Sequence, residues 1–193
     1  EGGTSMTIGT EYKKTRKNYS DFIDFNIATI IRAKKNDDLS SISTIGDKYS
    51  NFFGNFKVSP NENFALDYNF ALDNNLTKSA YDSIKTNFTV NNFITSFEYV
   101  DDKMNVKQKS YATNNTSFGI DDSNSIGFNI RRNNDISATE FYDLYYSYSN
   151  DCLEAAISFK KSYYSDADLK PEKQLFFSLS IVPFGTVNSP AYN

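Results

Sequence analysis

Apolar residues in this chain fall on every second position, rather than every third or fourth, along most of its length. Strict alternation marks a strand with one face covered. The clearest segment is Phe64-Ala65-Leu66-Asp67-Tyr68-Asn69-Phe70-Ala71-Leu72. Its even positions are all large and apolar or aromatic; its odd positions are Ala, Asp, Asn and Ala. Successive side chains on a strand point to opposite faces, so this segment has one greasy face and one small or polar face. The same rule sets Met6, Ile8 and Tyr12 against Gly9 and Glu11, and Ile23, Phe25, Ile27 and Ile31 against Asp24, Asn26 and Arg32. It sets Phe52, Phe56 and Val58 against Asn51, Asn55 and Lys57. The pattern recurs over Ile84–Val90, Phe93–Tyr99, Ile126–Ile130, Tyr142–Tyr148, Leu153–Phe159 and Leu175–Ile181, and weakly from Lys109 to Ile120. The chain is therefore predicted to be all-β, an antiparallel meander of about eleven strands of roughly 9–12 residues each.

Those lengths exceed the ~5–6 residues commonest in globular strands and match the ~9–11 of tilted membrane-spanning strands. Lys57, Asp67, Arg131 and Lys160 fall on the polar face, where a dry core would not accept them unpaired. One apolar and one charged face suit a barrel wall around a wet lumen; they also suit half of a soluble sandwich. The connections favour the barrel. Ser59–Glu62, Asn91-Asn92, Asp121–Asn124 and Asn150-Asp151 are short. Ala33–Lys48, Asp73–Ser79, Asp101–Lys109 and Ser162–Lys173 are long and polar, with Asn133–Ser137 of moderate length. Transmembrane barrels sort short periplasmic turns from longer outer loops in this way. On that assignment the short turns and the C-terminus are periplasmic.

Composition narrows the chemistry. Lys+Arg 20 against Asp+Glu 24 leaves a net charge of −4, which argues against a nucleic-acid partner. With His 0 there is no imidazole metal site and no histidine-activated nucleophile. A single cysteine cannot close an intrachain disulfide or hold an iron–sulfur cluster. No stretch is long and apolar enough for a transmembrane helix. Residues Glu1-Gly2-Gly3-Thr4-Ser5 carry no signal peptide and no initiator Met, so the chain is expected to be a mature product or a piece of something longer, and the strand pattern favours the second.

Motifs add little. There is no P-loop, no dinucleotide fingerprint, no H-E-x-x-H and no G-x-S-x-G. Asp166-Ala167-Asp168 and Asp121-Asp122 lack the ligand ladder of a calcium loop. Asn87-Phe88-Thr89 and Asn114-Asn115-Thr116 match the glycosylation sequon, as an Asn-rich chain does by chance. Lys13, Lys14, Arg16 and Lys17 form a basic cluster that reads as a solvated turn, with an anionic headgroup contact as the alternative. Tyr49, Tyr142, Tyr145, Tyr146, Tyr148, Tyr163 and Tyr164 lie near predicted strand ends, as in an aromatic girdle. Cys152 follows the tight Asn150-Asp151 turn on the periplasmic side, where disulfides form; a partner elsewhere and a free thiol both remain open.

The run Phe141-Tyr142-Asp143-Leu144-Tyr145-Tyr146-Ser147-Tyr148-Ser149-Asn150-Asp151-Cys152-Leu153 resembles the C-terminal end of the outer-membrane lipopolysaccharide-assembly family LptD. So does Ser165–Glu172 leading into Leu175-Phe176-Phe177-Ser178-Leu179. The opening Glu1–Gly9 and Tyr49–Gly54 look like earlier strands of the same barrel. The resemblance implies that residues 1–193 are a C-terminal segment of an LptD-type barrel, with no catalysis and no cofactor. It implies lipopolysaccharide as cargo, an LptE-type plug lipoprotein, a periplasmic Lpt bridge reached through an absent N-terminal domain, and surrounding outer-membrane lipid. It makes Cys152 a disulfide candidate toward that absent region, although Leu153 stands where many members carry a second cysteine. It makes Gln174, Leu175, Phe176, Phe177, Ser178, Leu179, Ser180, Ile181 and Val182 the last strand, one lip of a lateral seam. Pro183 at its end cannot donate a ladder hydrogen bond, so pairing there is expected to be weak. Alone, the segment is expected to form an open, curved sheet. Another outer-membrane barrel, a porin or receptor, and a soluble all-β binding or adhesin module are the alternatives.

Overall fold

The computed structural model describes residues 3–16, 19–39, 44–104, 109–163, 171–181 and 185–188. All the regular structure among them is β. The strands are β1 (Ser5–Arg16), β2 (Tyr19–Arg32), β3 (Phe52–Asn61), β4 (Phe64–Leu72), β5 (Ser79–Val90), β6 (Phe93–Asp102), β7 (Lys109–Gly119), β8 (Asn124–Asn133), β9 (Ala138–Ser149), β10 (Leu153–Ser162), β11 (Glu172–Ile181) and β12 (Gly185–Asn188). Each strand neighbours the next in chain order, an antiparallel meander. The chain divides into two compact units, Glu1–Asn87 with Glu98–Ser110, and Phe88–Phe97 with Tyr111–Asn193.

In the first unit the register stacks the alternating residues into rows across β1–β4. One face carries Tyr12–Phe25–Phe56–Tyr68 and Lys14–Ile23–Val58–Leu66. The other carries Lys13–Asp24–Lys57–Asp67 and Glu11–Asn26–Asn55–Asn69. A slip of one residue would turn every apolar side chain to the charged face, so the two-faced pattern itself selects this register. In the second unit β7–β11 do the same. Phe118–Ile126–Tyr146–Ile157–Phe177 and Thr116–Phe128–Leu144–Phe159–Leu175 form one face. Asn115–Asn129–Asp143–Lys160–Gln174 lies on the other.

Three expectations change. First, a further strand follows the segment from Gln174: Ser178–Ile181 of β11 pair with Gly185–Asn188 of β12, so β11 is not the last strand. Second, Lys13, Lys14 and Arg16 belong to β1 rather than to a turn; Lys17 lies outside the described residues. Third, β2 runs to 14 residues, longer than its alternation suggested. The long connection after it is ordered by its own backbone. Arg32 N donates to Lys48 O at 2.9 Å, Ser50 N to Ile30 O at 2.9 Å and Asn36 N to Gly46 O at 2.8 Å, so the returning chain pairs against the end of β2. Ser50 is fully buried there, its hydroxyl accepting from Ile30 N at 2.8 Å.

Candidate functional site

The candidate site is a surface. Among the described residues the only buried apolar side chains are Ala71 and Val100. Many of the other apolar residues stand on an uncovered sheet face: Met6 is 57% exposed, Leu144 54%, Ile8 49% and Phe177 44%. A soluble chain rarely leaves contiguous apolar area of this kind uncovered. At ~3.3 Å per residue, Leu175 to Ile181 spans about 20 Å of β11, and Ile23 to Ile31 about 26 Å of β2. Both are on the scale of the ~25 Å apolar band of an outer-membrane barrel.

Where small residues interrupt the apolar rows, the face dips. Ala155 lies between Tyr148 and Leu179 across the ladder. A shallow groove of about 470 Å³ forms there between Tyr146, Ile157, Phe177 and Leu179. Elsewhere large rings fill the dips. The Phe70 ring covers Gly54 on the apolar face, and the Tyr145 ring covers Gly127 on the polar face. Tyr145 thus points away from Tyr142, Tyr146 and Tyr148, and leaves the expected girdle. Tyr146 lies one row in from Tyr148, and its hydroxyl bonds Asn124 at the start of β8. Tyr142 stays near the long-loop end and Tyr148 near the short-turn end.

The weak alternation of β7 has a local cause. Asn114 and Thr116 point to the apolar face, and they bond to one another and to Thr95 of β6. Thr95 and Thr116 hydroxyls are 2.8 Å apart, and Asn114 Nδ2 donates to Thr95 Oγ1 at 3.1 Å. A closed set of this kind satisfies polar groups on a face that offers them no other partner.

The opposite face is hydrogen-bonded and charged. Asn55 Nδ2 donates to Asp67 Oδ1 at 2.7 Å and Asn69 Nδ2 donates to the same oxygen at 2.9 Å. Lys57 Nζ stands 3.4 Å from Asp67 Oδ2. In the second unit Arg131 Nε lies 2.7 Å from Glu140 Oε2, close as an ion pair although off the N–H axis. The Arg131 guanidinium also stacks 4.1 Å from the centre of the Tyr111 ring.

The strand ends differ. Odd-to-even connections are short, as between β3 and β4, β5 and β6, and β9 and β10. Even-to-odd connections are mostly longer, above all between β2 and β3, although β8–β9 is no longer than β7–β8. The turns are locked by carboxylates. The amides of Ser123 and Asn124 and the Asn124 side chain hold the Asp121 carboxyl below the usual carboxylate range. The Thr77 hydroxyl, then the Thr77 and Lys78 amides, do the same for Asp73.

Cys152 is an exposed free thiol at a short turn, its amide bonded to Asn150 Oδ1 at 3.0 Å. Gln174–Ile181 lie on β11, with Leu175, Phe177, Leu179 and Ile181 on the apolar face. Val182, Pro183, Asp166, Asp168 and Tyr164 lie outside the described residues. No group of three or more Cys, Asp or Glu among the described residues could hold a metal ion. No protein-family model matches the chain, and no curated protein matches it significantly.

Proposed function

We propose that this chain is a stretch of outer-membrane β-barrel wall, with the Phe128–Leu144 face toward lipid and the Asn129–Asp143 face toward a water-filled lumen. The observation that carries the reading is the register. In each unit it gathers most of the large apolar residues of the ladders onto one face, which no described residue covers, while Phe53, Phe141 and Phe176 fall on the other. In water that face is unstable, because burying apolar surface is the main favourable term in folding; hydrocarbon removes the penalty. Sorted turns and strands of membrane-spanning length support the same reading.

Within that class we infer an LptD-type role: a conduit, without catalysis, through which lipopolysaccharide reaches the outer leaflet along a seam near the end of the barrel. The supporting features are the likeness of Phe141–Leu153 and Leu175–Leu179 to that family and the exposed thiol at a short turn, free to bond a region outside this chain. The partners on this reading are lipopolysaccharide, an LptE-type plug and the periplasmic bridge.

Single cysteines at Phe128, Leu144, Asn129 and Asp143, in the full-length protein with Cys152→Ser, test the wall once labelled with a fluorophore. Spin-labelled lipid should quench the first two and spare the others; equal quenching at all four rejects it. For the finer role, non-reducing electrophoresis should show a mobility shift that Cys152→Ser abolishes, and the LptE-type lipoprotein should co-purify. Loss of both results would leave a barrel of another kind.

A further inference from the structure

The long-loop end of the apolar face in the second unit carries a concentration of positive charge. Lys161 of β10 and Lys173 of β11 stand directly opposite one another, on the same face as Phe159 and Leu175 and one row beyond them. Like charges placed opposite across a ladder repel. Arg132 joins them from β8, on the face of Ile130, exposed and bonded only weakly to Ser137 O at 3.4 Å. Among the described residues no carboxylate lies within ion-pair distance of these three: Glu140 serves Arg131, and Glu172 is on the opposite face.

Two aromatic rings order the corner. The Lys161 ammonium lies 4.4 Å from the centre of the Tyr163 ring, and the Tyr163 and Tyr142 rings are 6.2 Å apart. The hydrogen bond with Lys161, then the Lys161 charge, a hydrogen bond with Tyr142 and the Lys173 charge, hold the Tyr163 phenol below its usual range. Against the two tyrosines, an open groove of about 290 Å³ runs between Ile130, Ala138, Thr139, Tyr142 and Tyr163.

We propose that this corner is a binding site for the phosphate group of a membrane lipid. The phosphate bridges Lys161 and Lys173, with Arg132 and the tyrosine hydroxyls beside it, and the acyl chains lie along the Phe159–Leu175 row. Three observations single out a lipid: two ammonium groups on facing residues with no carboxylate partner among the described residues, their place at the edge of an apolar face, and an open groove beside Tyr163. Charge-assisted bonds to phosphate are short and strong, and basic residues near a membrane surface attract anionic lipid. The inference rests on the wall reading above.

The test is native mass spectrometry of the full-length protein in micelles, titrated with phosphatidic acid or phosphatidylcholine. Wild type should retain phosphatidic acid over phosphatidylcholine, and K161Q/K173Q should lose that excess by about tenfold. K161R/K173R should keep it, as should K57Q, whose lysine lies on the other face. Equal retention of the two lipids overturns the proposal, as does retention indifferent to K161Q/K173Q. Displacement of the lipid by millimolar inorganic phosphate alone also overturns it, by making the corner a free-anion site. If the Phe128 and Leu144 labels are quenched by lipid while the lysines have no effect, the headgroup site fails and the wall stands; if they are not quenched, both fail.

Discussion

Gly127 of β8 and Tyr145 of β9 face one another across the ladder, and the Tyr145 ring occupies the space a side chain at 127 would need. Glycine weakens a strand interior, and an aromatic ring laid across it restores contact on that face. Gly127→Ala is expected to destabilise the folded state by about 1–3 kcal/mol through overpacking. Urea unfolding of the membrane-inserted protein measures it. Tyr145→Ala in the same chain should remove most of that added cost, so a double-mutant cycle should show strong coupling. Additive losses would mean that the ring and the glycine are independent.

Leu144 and Asp143 are neighbours in sequence and point to opposite faces. Leu144→Arg in the wall is expected to cost about 2–4 kcal/mol, as basic residues do near the bilayer midplane. Asp143→Asn, on the lumen side, should cost less than about 1 kcal/mol. Unfolding midpoints in lipid vesicles compare the two. Similar costs would argue against lipid on the Leu144 side.

Asp67 is the acceptor that Asn55 and Asn69 share. Asp67→Ala leaves both amides short of a partner and is expected to cost about 1–3 kcal/mol. Lys57→Gln breaks an ion pair whose lysine is 54% exposed, so it should cost under about 1 kcal/mol. Chemical denaturation of the two variants should rank them in that order.

The Asp73 and Asp121 turns should respond to acid. Both carboxyls sit below the usual carboxylate range in the folded chain, through hydrogen bonds to their ionised forms. A lowered folded value means that the contribution is complete above the unfolded value of about 4 and is lost as pH falls through the folded one. Amide exchange at Thr77, Ser123 and Asn124 should therefore be pH-independent in its protection above about pH 5 and lose protection below about pH 4. Asp121→Asn should remove that step at Ser123 and Asn124 only.

The two faces were readable before any coordinates. In Phe64–Leu72 or Tyr142–Tyr148 each residue's face follows from parity alone, because the strand repeat is two residues. Four features were not readable. Gly185–Asn188 is too short and too small in its side chains to show alternation, and becomes β12 only because Ser178–Ile181 offer it a ladder. Asn114 and Thr116 look like a break in the pattern until Thr95 supplies their partner. Tyr145 and Tyr146 look alike as girdle residues until register lays the Tyr145 ring over Gly127 on the polar face. Lys161 and Lys173 are separated by a whole connection, and nothing local says that they meet.

What the order of residues determined by itself was periodic and local: strand identity, the apolar and polar face of each strand, and the turn residues. These follow from the two-residue repeat and from short-range hydrogen bonding, which need no knowledge of a distant partner. What only tertiary structure decided was lateral: which rows align, which glycine receives a ring, which cations face each other and how far the last strands pair. Those depend on register between strands, and register is chosen by the summed burial and pairing of whole faces rather than by any residue's neighbours along the chain.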